Sequence, residues 1–158
     1  MHISDHFDAG NIEVIDAGDP AAVRLAIRAD SNADFFQWFH FRATGVAGVE
    51  CAFRIENAGE ASYTKGWEGY QAVASYDRED WFRVPTEYSA GVLTIRHTPE
   101  RDSVYYAYFE PYSGERGRDF LAHCLAAPQV RHTVLGQTVD GADLDLLTTG
   151  AAGDGKRV

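Results

Sequence analysis

From Val49 to Glu56 the chain alternates Val49, Cys51, Phe53 and Ile55 with Glu50, Ala52, Arg54 and Glu56, and Asn57-Ala58-Gly59 closes the run. A period of two puts the first set on one face of a pleated strand and the second on the other, which excludes an amphipathic helix. The pattern recurs in short pieces. Val23-Arg24-Leu25-Ala26-Ile27-Arg28-Ala29 carries both arginines on even positions, and Asp30 to Asp34 reads as a turn. Gln37 to Ala43 alternates with an aromatic on each face, and Val92 to His97 ends at Thr98-Pro99. Val104-Tyr105-Tyr106-Ala107-Tyr108-Phe109 has no polar face, so it predicts a central strand covered on both sides. Between Lys65 and Glu87, aromatics are scattered among charges, and the segment reads as two short strands and loops.

After Pro111-Tyr112 the character changes. Ser113 is placed to cap a helix from about Gly114 to Ala126, with Phe120, Leu121, Cys124 and Leu125 on one side and Pro128 as its stop. Two strand candidates, Val130 to Val139 and Leu144 to Thr149, flank the hairpin signal Asp140-Gly141. The run Gly150 to Gly155 reads as a flexible loop, and Lys156-Arg157-Val158 as the opening of another strand. About seven short strands without interleaved helices predict a mainly all-β chain: an antiparallel β-sandwich, then one helix and a terminal β-hairpin. The domain boundaries read as 1–127 for the sandwich with its helix and 128–158 for the hairpin and the start of a second domain.

Charge removes some function classes. With 24 acidic against 14 basic residues and a net charge of −10, the longest basic feature is Lys156-Arg157, so nucleic acid is a poor partner. No apolar run approaches the roughly 20 residues of a membrane span. The first residues lack the basic start and apolar stretch of a signal peptide, which points to the cytoplasm. In that compartment Cys51 and Cys124 read as reduced thiols.

The chemistry-bearing residues do not assemble into a catalytic set. His97-Thr98-Pro99-Glu100 has the H-x-x-E spacing of a zinc site, but a catalytic zinc needs a third protein ligand. Only His123 and His132 follow it, one on the helix and one at a strand start. His2, Asp5 and His6 crowd the terminus, and His40 shares its strand face with Trp38 and Arg42, where a packed ring is the simpler reading. No G-x-S-x-G elbow, phosphate loop or cysteine nucleophile motif is present. No catalytic, metal or cofactor residue is assigned. Trp38, Trp67 and Trp81 offer one alternative, an aromatic platform for a stand-alone glycan- or peptide-binding module.

Six segments carry a resemblance: Phe7 to Ile12, Gln37 to Arg42, Phe53 to Asn57, Trp81 to Val84, Tyr105 to Ser113 and Leu135 to Leu147. Their order, an F-x-x-G-N start, a Q-W-F-x-F-R strand, a Y-Y-A-Y-F-E-P-Y-S strand into a helix and an L-G-x-T-x-D-G hairpin, resembles the N-terminal domain of cytosolic-type zinc metallocarboxypeptidases. The resemblance implies a β-sandwich beside an α/β carboxypeptidase domain, which the terminal hairpin begins and which lies beyond this sequence. It places zinc and the catalytic residues in that missing part, with His97 to Glu100 upstream of the family's zinc motif. The parent would remove C-terminal amino acids, glutamates among them, from peptides or proteins. This part would brace the catalytic domain and shape access to it. Gln37, Trp38, Phe39, Arg42, Tyr108, Glu110, Pro111 and Tyr112 are the candidates for the interdomain face, and exposure of that face would drive self-association.

Overall fold

In the computed structural model, residues 1–150 are described, and they divide into two compact units, Met1–Pro111 and Tyr112 onward. The first unit holds two five-stranded sheets. One runs in the order β1(His2–Ser4), β4(His40–Thr44), β10(Ser103–Ala107), β6(Val73–Ser75), β7(Phe82–Arg83), with every pair antiparallel. The other runs β2(Glu13–Asp16), β3(Val23–Ala26), β5(Cys51–Ile55), β9(Val92–His97), β8(Thr86–Ser89). There β3 and β5 pair in parallel, the one departure from antiparallel pairing in the unit. The chain is mainly β, as expected from its alternation.

The core lies between the inner faces of the sheets. Phe41 and Tyr106 stand opposite each other across the β4–β10 ladder, with ring centroids 5.2 Å apart. Phe53 from β5 reaches both, at 5.3 Å and 4.8 Å. All three are fully buried, as are Leu25, Ile55, Leu93 and Ile95 around them. Aromatic pairs at these tilted, offset distances add to the area they bury. Trp67 closes one end of the core, buried, with its indole donating to the Ala58 carbonyl at 2.9 Å.

Side chains finish what the ladders leave open. Asn57, which ends the cleanest strand of the sequence, donates to the Ile27 carbonyl at 2.8 Å and accepts from the Ile27 amide at 2.9 Å. Gln37 likewise accepts from the Tyr63 amide at 2.9 Å. The Tyr106 hydroxyl meets Nδ1 of His97 at 2.9 Å, which satisfies the one polar atom of a core ring.

The strand at Gln37–Ala43 starts later than its alternation suggests, at His40, because Gln37 turns to the Tyr63 backbone and leaves the ladder. The stretch from Lys65 to Glu87 holds two short strands, β6 and β7, as expected, with a 3-10 turn at Thr64–Trp67 ahead of them and the start of β8 at its end. β10 is central but not sealed on both faces: Tyr105 is half-buried and Phe109 just past it is 54% exposed.

The second unit contains the helix α1(Gly114–Leu125) and the hairpin β11(Val130–Gln137)–β12(Asp143–Thr149). Ser113 Oγ accepts from the Arg116 amide at 3.2 Å, the expected cap. The two compact units meet between Pro111 and Tyr112, with the helix in the same unit as the hairpin. The expected strand at Lys156-Arg157-Val158 lies outside the described residues. No helix among the described residues is long and apolar enough to cross a membrane.

Phe53→Ala should test the core reading directly. Loss of the ring that joins the two sheets is expected to cost about 3–5 kcal/mol in a denaturant titration followed by near-UV circular dichroism.

Candidate functional site

Strand pleating sends alternate residues of β4 and β10 to opposite faces. Phe41, Ala43, Val104 and Tyr106 point into the core, so His40, Arg42, Tyr105 and Ala107 share the outer face of their sheet, with Tyr105 opposite Arg42. This face is not a solvated one. His40 is 1% exposed, packed edge-on by Phe7 at 4.8 Å, Trp38 at 5.9 Å and Trp81 at 5.9 Å, with Tyr105 at 6.1 Å. Phe109 extends the aromatic strip, 5.0 Å from Trp38.

Two loops hold these rings in place. The first runs from Asp5 to Asn11. Gly10 donates to the Phe7 carbonyl at 2.9 Å, and a Cβ on Gly10 would lie 1.9 Å from the Asp5 carbonyl oxygen. Only glycine fits, which accounts physically for the G of the F-x-x-G-N segment. Asp5 ion-pairs with Arg28 and accepts from the Ile12 amide at 3.1 Å. Burial works to raise the Asp5 pKa, but these partners outweigh it and hold the carboxyl below its usual range. Asn11 exchanges both main-chain hydrogen bonds with His40, at 2.9 Å and 3.1 Å, and its side-chain amide donates to the carbonyls of Arg28 and Trp38.

The second loop follows β6. Asp77 accepts from the amides of Glu79 and Asp80 at 2.9 Å each, which pulls its pKa down. Arg78 takes a left-handed φ of 70° and lies over the rings of Phe7, 6.0 Å, and Tyr105, 5.7 Å. Trp81 is tied back to the Arg78 carbonyl at 3.2 Å.

Burial, first of all, pushes the His40 pKa down to about 4; the Ala9 carbonyl and Asp8 pull upward, and Arg78 adds to the fall. The ring is neutral near pH 7. Among the described residues neither ring nitrogen makes a hydrogen bond of good geometry, the Ala9 carbonyl pulling on the ring without offsetting its burial, and the enclosed Asn11 Oδ1 and Arg42 Nε likewise lack a partner. A cleft of about 650 Å³ is lined by Asn11, Arg28, Phe35, Phe36 and Trp38.

The eight interdomain candidates scatter over this structure. Trp38 and Arg42 stand on the outer face. Phe39 does not: its side chain is fully buried between the sheets, and Gln37 is 4% exposed and spent on Tyr63, so neither presents a surface. Tyr108 packs inward on Trp67 at 5.4 Å and Phe39 at 6.1 Å. Glu110 and Tyr112 are exposed and Pro111 is half-buried, while Tyr112 belongs to the second unit under the Arg116 guanidinium. A three-tryptophan platform is not formed, because Trp67 sits in the core. Phe7, Tyr105, Arg78 and Phe109, which alternation alone does not single out, complete the face.

Among the described residues no three His, Cys, Asp or Glu side chains come together to hold a metal ion. His97 is engaged with Tyr106, the Glu100 amide donates to the Tyr76 hydroxyl, and His132 pairs across the hairpin with Asp145 at 2.6 Å. Both cysteines are free thiols, Cys51 buried. The described residues do not fit a catalytic zinc.

The family model for the cytosolic carboxypeptidase N-terminal domain matches residues 3–109. The chain belongs to that family. An uncharacterised protein of Zymomonas mobilis is 41% identical over 95% of this chain, which covers 39% of that protein. Among solved structures, the metallo-carboxypeptidase of Burkholderia cenocepacia is 51% identical with a TM-score of 0.90, over 95% of this chain and 40% of its own. A metallo-carboxypeptidase of Pseudomonas aeruginosa, solved in complex with (2-guanidinoethylmercapto)succinic acid, is 47% identical with a TM-score of 0.91, over 98% of this chain and 41% of its own. The chain thus spans about two fifths of the length of the relatives it matches.

The His40 environment predicts a specific acid sensitivity. A histidine held near 4 when folded and at its ordinary 6.5 when unfolded stabilises the fold above pH 6.5, and that contribution is lost as pH falls from 6.5 to about 4. The loss amounts to roughly 3 kcal/mol. Denaturation at pH 7 and pH 4.5 should therefore show a larger drop for the wild type than for His40→Phe; equal drops would contradict the assignment.

Proposed function

We propose that this chain is the N-terminal part of a zinc-dependent metallo-carboxypeptidase of the cytoplasm, one that removes C-terminal amino acids, glutamate among them, from peptides or proteins. In this reading the chain itself is not catalytic. It braces the catalytic domain and shapes the approach of substrate to it. The observation that carries the reading is the pairing of close likeness with partial coverage: nearly all of this chain superposes on two metallo-carboxypeptidases, yet it occupies about 40% of each. The zinc, and the water it would activate, belong to the remaining three fifths.

The second unit supports the same reading. Its hairpin and helix leave Phe120, Val134, Leu135, Leu144 and Leu146 exposed, and among its described residues only Ser113 is buried. A two-stranded hairpin of this kind is marginal without a covering layer. The carboxypeptidase domain is the layer we assign to it.

Elemental analysis of the untagged 158-residue chain should find no stoichiometric zinc, and the chain should release no amino acid from peptide C-termini, whereas the whole gene product should bind zinc and release C-terminal amino acids. Stoichiometric zinc with hydrolysis by the 158-residue chain would overturn the reading. Sedimentation should show this chain self-associating through its exposed apolar surface; a monodisperse monomer would count against an uncovered hairpin.

A further inference from the structure

We infer that the cleft walled by Phe35, Phe36 and Trp38, which Asp30 also lines, receives the cationic side chain, lysine or arginine, of a peptide or protein partner. Such binding lies within the first unit and needs neither zinc nor hydrolysis, so it stands apart from the functional reading above.

The chain builds this cleft by a short excursion between the sheets' strands. β3 ends at Ala26, and the backbone turns between Asp30 and Phe35, where the Asp30 amide donates to the Phe35 carbonyl at 2.8 Å. One wall is therefore Arg28 to Ser31 and the other Phe35 to Trp38. Asn11 ties the two together, its side-chain amide donating to the Arg28 and Trp38 carbonyls at 3.0 Å each. The second wall is anchored further, since the Phe36 amide donates to Ser62 Oγ at 3.0 Å and its carbonyl accepts from the Ser62 amide at 2.9 Å. The cleft is thus preformed, and its volume of about 650 Å³ falls within the roughly 300–1,000 Å³ of ligand sites.

What is already engaged selects the ligand's chemistry. The Gln37 amide is held at both ends by the Tyr63 backbone, the Trp38 indole N–H donates to the Ala9 carbonyl at 2.8 Å, and the Asn11 amide joins the walls. These side-chain donors are not available to read the hydroxyls of a sugar, which argues against a glycan. Ring surface remains: Phe35 is 45% exposed, and Tyr63, 62% exposed, packs on it at 5.3 Å. Ring faces attract cations. Charge agrees. Arg28 is the cation in the lining, and it is already neutralised, donating to the Ile12 carbonyl at 2.6 Å and pairing with Asp5. Asp30 has no cationic partner among the described residues; its Oδ1 accepts from its neighbours, Ser31 Oγ at 3.3 Å and the Asn32 amide at 3.4 Å. Unpaired carboxylates are common on a chain of net charge −10, and this one is set apart by the ring-walled cleft it lines. An ammonium or guanidinium on an aliphatic stem meets both features at once.

The test titrates the whole gene product with Nα-acetyl-lysine N-methylamide and with its uncharged norleucine analogue, followed by saturation-transfer NMR. Neither compound has a free C-terminal carboxylate, so neither offers a residue to release. The lysine compound should bind about fivefold more tightly, the worth of one cation–ring contact at a partly exposed site. That margin should shrink at about 1 M salt. Asp30→Asn should remove the preference and leave norleucine binding unchanged, while Glu87→Gln, an equal change of charge on exposed β8, should leave the preference intact. Phe35→Ala should weaken both compounds; if that variant does not fold, Phe35→Leu keeps the apolar bulk without the ring face, and unchanged lysine affinity then overturns the proposal. Absence of binding, equal binding of the two compounds, or a preference that survives Asp30→Asn would overturn it as well. Loss of the preference in a product that binds zinc and cleaves peptides sinks the cleft and spares the functional reading. A clear preference in a product that does neither has the opposite consequence.

Discussion

The antiparallel pairing of β4 with β10 is the constraint on which the rest depends. Its pleat is a sorting device: Phe41 and Tyr106 go inward to meet Phe53, and His40, Arg42 and Tyr105 go outward. A slip of one residue in register would exchange the two sets, placing an imidazole and a guanidinium in the hydrophobic centre. Core and surface are in this sense one decision. The same ladder that seals the sandwich builds the aromatic face, so mutations in the core reach the outer face through a shared backbone.

That face is assembled from segments far apart in the chain, and each arrives by a different physical route. Phe7 is delivered by a loop that closes only because residue 10 has no Cβ. Trp38 is fixed by its indole hydrogen bond to the Ala9 carbonyl at 2.8 Å, which ties the two segments to each other. Arg78 and Trp81 come from a loop organised around the Asp77 carboxylate. The neutral His40 at the centre is affordable because the rings around it offer no charge and the ordinary imidazole gives up its proton readily.

Much of this was legible in the residues. Cys51–Ile55 and Val92–His97 announce themselves because one face is buried and the other wet, which is the condition under which alternation appears. Ser113 reads as a cap because its side chain has a specific local task. The short strands β1 and β2 were not legible: with three and four residues, they hold position by pairing to neighbours rather than by a pattern of their own. The same limit applies to the site. Trp38, His40 and Arg42 share a parity that places them on one face, but Phe7, Arg78 and Trp81 are brought there by loop closure, which no periodicity records. Phe39 and Trp67 show the converse, since a conspicuous aromatic is as useful to a core as to a surface.

The parallel pair β3–β5 has a topological consequence. After β3 the chain leaves its sheet, lays β4 into the opposite one, and returns to run alongside β3. The two layers are thereby stitched by a continuous thread, and neither can be completed while the other is absent. Half a sandwich is not a stopping point on the way to this structure, and the ordering of both layers is committed to contacts between residues distant along the polymer, a requirement that favours slow, all-or-none acquisition of the native form.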